Sequence, residues 1–200
     1  FWLDRRPVTN ARFLAFVREH PKWRRDQVRP VMAESGYLAQ WERSDRVGPG
    51  VELQAPVVRV SWFAARAFCE ARGGRLPTEA EWEYVGSASE TSLDGRKDPA
   101  WAAHILAWYG RLQTSSPGLV GRQKPNAFGV EDMHGLVWEW VLDWNSTLVS
   151  GDAREGGAAD RMTFCGAGAL AAVDRGDYAT FMRVAMRSSL AAGYVAPSLG

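Results

Sequence analysis

The chain has 200 residues, 24 Lys and Arg against 23 Asp and Glu, a formal net charge of +1, and 46% hydrophobic residues. That balance supplies no global field for nucleic acid or a membrane surface, and no apolar run approaches the roughly 20 residues that cross a bilayer. Ten tryptophans sit among twenty glycines and ten prolines, so one domain over residues 1–200 is expected, loop-rich and with a core pinned by indole rings.

The opening Phe1-Trp-Leu-Asp4 reads as the middle of a strand, as in a trimmed or mature form. Thr9 or Asn10 can cap a first helix over about 10–19, where Phe13, Phe16 and Val17 recur on one face. Residues 20–55 show no sustained period and read as an irregular excursion with one short strand near Tyr37. Its basic run, Lys22-Trp-Arg-Arg25 with Arg29, is a phosphate contact or, more commonly for such runs, a solvated loop.

Val57 to Val60 is β-prone, and Ser61 caps a second helix with Trp62, Ala65, Phe68 and Cys69 at helical spacing, ended by Gly73-Gly74. Thr78-x-x-Glu81 is a capping box, which predicts a third helix from Pro77 to about Gly86 with Trp82 turned inward. Trp101 to Tyr109 is a helical turn or a strand, Pro125 to Gly129 a turn, and Val137 to Asp143 a strand whose Trp138, Trp140 and neighbouring Trp144 belong to the core. The pattern is that of an α+β domain with long loops.

Five pieces occur in one order: Pro7-Val-Thr-Asn10; Val60-Ser-Trp62 with Phe68-Cys69; Arg75-Leu-Pro-Thr-Glu-Ala-Glu-Trp-Glu83; Asn126-Ala-Phe-Gly129; and Asp132-Met-His-Gly-x-Val-Trp-Glu-Trp140. Together they resemble the formylglycine-generating enzyme, or sulfatase-modifying factor, family over nearly the whole chain. The resemblance implies the α+β formylglycine-generating-enzyme fold, a loop-rich variant of the C-type lectin fold. Carbohydrate binding does not follow from that fold alone.

Members of that family use a cysteine pair with copper to oxidise a substrate cysteine, thiolate being both the nucleophile and a soft ligand for cuprous ion. Aligning Arg183-x-Ala185-x-Arg187-Ser188 on the matching stretch puts Ala179 and Val184 at the reactive positions. Neither ligates copper or forms a mixed disulfide, so the resemblance does not carry formylglycine generation over to this chain. The substrate groove it implies would be bordered by Asp177, Tyr178, Arg183, Arg187 and Ser188, whose alternative is a structural salt-bridge network.

Calcium in the family is held by backbone carbonyls, the Glu of the Trp-Glu-Trp element and an Asn just before it. Glu139 matches and Leu136 replaces the Asn, which leaves a weakened calcium site or a buried carboxylate bonded to backbone N–H groups. Pro197 to Gly200 resembles the approach to a closing strand that continues with Phe-Arg-Cys in relatives. Cys69 stands where they pair with that terminal cysteine; a free buried thiol is the alternative, and a disulfide would indicate a periplasmic or secreted protein. Cys165, in Thr163-Phe-Cys-Gly-Ala-Gly168, is either a catalytic thiol or metal ligand or an inert buried one, and His104 and His134 show no metal-ligand spacing with it.

Three functions compete. The first is a maturation or accessory factor binding a protein or peptide client without cysteine oxidation; Phe164 to Gly168 and Arg187-Ser-Ser-Leu190 resemble a cysteine-poor branch associated with denitrification and nitrite reductase. The second is a metal- or Cys165-dependent oxidoreductase acting on a peptide or secreted metabolite. The third, a lectin-like ligand-binding module, has no motif of its own.

Overall fold

A computed structural model describes residues 1–109, 117–144 and 175–200. Among the described residues five helices carry the framework: α1 (Asn10–Glu19), α2 (Trp62–Ala71), α3 (Glu79–Gly86), α4 (Pro99–Tyr109) and α5 (Arg175–Ser188), with one 3₁₀ turn at Pro21–Trp23. Among the described residues, β pairing is confined to isolated bridges, antiparallel at Thr9–Pro56 and Arg43–Arg46 and parallel at Trp138–Leu199.

The helix starts follow local chemistry. Thr9 Oγ1 accepts from Arg12 N at 3.3 Å and Ser61 Oγ from Ala64 N at 3.3 Å, each satisfying one of the amides that a helix N-terminus leaves without a carbonyl. At α3 the box is reciprocal: Thr78 Oγ1 accepts from Glu81 N, and Glu81 Oε2 accepts from Thr78 N at 2.8 Å. Arg75 then clamps the same Glu81 carboxylate with two hydrogen bonds of 2.7 Å. Gly73 takes φ +75°, and the Gly73 and Gly74 amides donate to Glu70 O and Cys69 O, closing α2. The 101–109 segment resolves as helix rather than strand; Asp98 Oδ1 accepts from Ala100 N at 2.9 Å at its start.

The first and largest core packs Phe13, Phe16 and Val17 of α1 against Phe68 of α2, with Tyr37, Leu38 and Trp41 from the excursion. Phe13 stacks on Phe68 with ring centroids 5.7 Å apart. Each such side chain contributes about 1.5–3 kcal/mol through burial. The expected strand near Tyr37 is absent: Leu38 adopts φ +48°, and the Tyr37 and Trp41 amides donate three residues back to Glu34 O and Leu38 O, so this stretch delivers its rings from successive turns. Asn10 fixes the loop's path, donating from Nδ2 to Glu52 O and Ala55 O while Oδ1 accepts from Trp41 Nε1 at 2.9 Å.

Residues 137–143 do not form the expected strand either. Trp138 N donates to Ser198 O at 2.7 Å, Gly200 N to Trp138 O and Trp140 N to Gly200 O; Leu142 N then turns away to Pro77 O. Among the described residues this pairing amounts to one parallel bridge, Trp138–Leu199. Trp138 and Trp140 do enter the core as expected: Trp140 Nε1 donates to Val60 O at 2.8 Å, and Trp138 packs on Trp108 of α4 at 5.2 Å. Gly200 lies so close to the Val57 carbonyl that a Cβ there would sit 1.9 Å from its oxygen.

Candidate functional site

The densest polar chemistry among the described residues lies between α3 and α5 and converges on Trp82. Glu79 and Glu83 are four residues apart on α3, and Arg183 and Arg187 are four apart on α5, so each pair shares one helix face. Arg183 Nε donates to Glu83 Oε1 at 2.8 Å and its Nη2 to Oε2 of the same carboxylate, a bidentate contact; Nη2 also reaches Thr180 Oγ1 at 3.0 Å. Arg187 Nη1 donates to Glu83 Oε1 at 3.1 Å and Glu79 Oε1 at 3.3 Å. Both guanidinium carbons lie over the Trp82 ring, at 5.4 Å for Arg183 and 4.5 Å for Arg187.

Trp82 has further polar neighbours. Its indole Nε1 donates to Glu139 Oε2 at 2.7 Å, and the His134 ring stands edge-on to it with centroids 5.5 Å apart. His134 Nε2 lies 2.7 Å from Gly86 O, and because a carbonyl only accepts, that nitrogen carries the proton. Gly86 has to be glycine here, since a Cβ would approach the Trp82 ring to 2.9 Å.

Charge and burial compete at each group. Burial pushes the Glu83 carboxyl up, but the hydrogen bonds and charge of Arg183, with those of Arg187, outweigh it and leave Glu83 below its ordinary range. Glu79 ends above its ordinary range, because burial there exceeds the help from Arg187. Burial also raises Glu139 against the opposing Trp82 hydrogen bond. His134 is pushed down to about 4 by burial and by the nearby Arg183 charge, so its imidazole is neutral at pH 7.

The structure places Arg183 and Arg187 inside, each 2% exposed, and commits their guanidinium groups to Glu79, Glu83 and Trp82. These ion pairs match the salt-bridge alternative of the sequence reading, and a buried guanidinium gains from carboxylates that meet its donors, although Arg187 Nε has no hydrogen-bond partner among the described residues. Ser188 Oγ donates back to Ala185 O at 3.0 Å, a bond within α5. Val184 is half-buried on α5. Asp177, Tyr178 and Ala179 fall on the first turns of α5, and their side chains lie outside the described residues, as does Cys165 entirely.

Cys69 is a free, half-buried thiol, with a pKa pushed up to about 11, first by burial and then by Asp4. It is protonated at neutral pH and therefore a weak nucleophile. Cys69, Glu139 and Gly200 border a cavity of about 510 Å³ between residues 1–4, the end of α2 and the 133–140 segment.

A calcium ion takes six to eight oxygens, and several side-chain oxygens near Glu139 are already engaged. One Glu139 oxygen already accepts from the Trp82 indole. Asp132, at φ +60°, spends its carboxylate on the Gly121 and Gln123 amides, and Glu131 is paired with Arg5 and Arg6. Among the described residues, no three His, Cys, Asp or Glu side chains converge as metal ligands. Glu139 accepts a hydrogen bond from an indole N–H, a side-chain donor rather than the backbone amides of the alternative reading.

Sequence reasoning missed Glu79, Glu83, Trp82 and His134 as members of one cluster. A signal existed: two acids and two arginines at matched four-residue spacing, one pair flanking the inward Trp of a capped helix.

The family described as "Sulfatase-modifying factor enzyme 1-like domain" matches residues 1–200. Mouse "Inactive C-alpha-formylglycine-generating enzyme 2" is 33% identical over 180 residues, covering 70% of this chain and 57% of the relative. The "Formylglycine-generating enzyme" of Streptomyces coelicolor is 31% identical over 187 residues, 73% and 58% respectively. "Serine/threonine-protein kinase pkn1" of Chlamydia pneumoniae is 33% identical over 152 residues, which is 72% of this chain and 23% of that protein. The chain thus spans less than two thirds of the length of each of these curated relatives. The match over the whole chain, together with the Thr78–Glu81 box and the Trp138-Glu-Trp140 segment where the resemblance expects them, shows that this chain belongs to the sulfatase-modifying factor family, the family of the formylglycine-generating enzymes.

Proposed function

We propose that this chain is a diverged formylglycine-generating-enzyme-like protein that binds a protein or peptide client as a maturation or accessory factor and does not oxidise cysteine to formylglycine. The observation that carries this reading is the α5 helix. It bears Ala179 and Val184 where the family resemblance expects the reactive thiols, and its two arginines are spent on docking to α3. The one cysteine among the described residues, Cys69, holds its proton at neutral pH. The similarity to relatives named inactive formylglycine-generating enzymes is in keeping with it. In this reading the C-type-lectin-like scaffold is kept for recognition, a denitrification or nitrite reductase system supplies the client, and the protein works in the periplasm or outside the cell.

The test is direct. The full-length protein is incubated with copper, oxygen and a cysteine peptide of the sulfatase type, and the peptide mass is followed. No conversion is expected; formylglycine in the product would overturn the proposal. Client binding is measured as the affinity of purified candidate partners for wild type, and failure of every partner encoded beside the gene would remove the accessory role. Copper or iron in the purified protein, lost in Cys165→Ala together with activity, would replace this reading with the metal- or Cys165-dependent oxidoreductase.

A further inference from the structure

We draw no further inference here: the strongest candidate, the cavity of about 510 Å³ beside Cys69 and Glu139, is bordered by both Phe1 and Gly200, and nothing in the structure shows what covers it.

Discussion

The α1–α2 core and the α3–α5 contact join helices by opposite means. In the first, Phe13, Phe16 and Phe68 meet ring to ring at 5.3–5.7 Å, and the buried Asn10 beside them has its amide engaged. In the second, two arginines and two glutamates meet around one tryptophan. An apolar interface degrades by degrees, since a smaller side chain loses contacts roughly in proportion to its volume. A buried ionic interface fails abruptly, because deleting one partner strands the other's charge away from water.

The largest expected effect follows from that asymmetry. Glu83→Ala leaves Arg183 without its bidentate partner and should cost about 3–5 kcal/mol in chemical denaturation. The triple replacement of Glu83, Arg183 and Arg187 by Leu or Met should recover most of that loss. A cost below about 1 kcal/mol for the single change would mean that the pairing is not what holds α5. Phe68→Leu in the apolar region should cost less, about 1–2 kcal/mol, with no dependence on pH.

Acid offers a second way to separate the regions. In the unfolded chain His134 takes up a proton as pH falls through 6.5, whereas the buried ring resists until about 4. The unfolded state therefore binds the proton first, so stability is complete above 6.5 and erodes by at most about 3 kcal/mol as pH falls to 4. Glu83, depressed when folded, adds a loss of the same sign as pH drops below the ordinary Glu range; Glu79 and Glu139, raised when folded, take up protons first and offset part of it. The clean measurement is wild type against His134→Gln across pH 7 to 4. The variant should lose distinctly less stability, and parallel curves would refute the buried neutral imidazole.

Two smaller changes sharpen the same contrast. Trp82→Phe keeps an aromatic face for the arginines but removes the indole donor to Glu139, for about 1–3 kcal/mol. Thr78→Ala removes half of the capping box and should cost about 1 kcal/mol by thermal unfolding. If Thr78→Ala proved the more damaging, the start of α3 rather than its contact with α5 would limit this region.

What was legible in the sequence was what is decided within four residues. Thr9, Ser61 and the Thr78–Glu81 box set helix starts through their own hydroxyls and carboxylate, and these stand where the pattern placed them. Elements decided by distant partners were not legible. Residues 137–143 alternate like a strand, yet among the described residues their pairing is a single bridge to Leu199, and Leu142 N turns to Pro77 O. Trp101 to Tyr109 is apolar nearly all round, so its period does not discriminate, and burial of Ile105 and Trp108 settles it as helix. Arg183 and Arg187 were recognisable as important by type and spacing. Their burial was not, because it depends on Glu79 and Glu83 about a hundred residues earlier.

The Glu79, Glu83, Arg183 and Arg187 quartet also constrains how such a sequence changes over generations. A chain one substitution away from this arrangement carries a stranded interior charge worth about 3–5 kcal/mol, against a whole-domain stability of about 5–15 kcal/mol. Drift one position at a time is therefore blocked, and the four sites should be inherited as a block or replaced as a block. In an alignment of close relatives, loss of the acid at position 83 should be accompanied by loss of the arginine at 183, whatever the loops around them are selected to do.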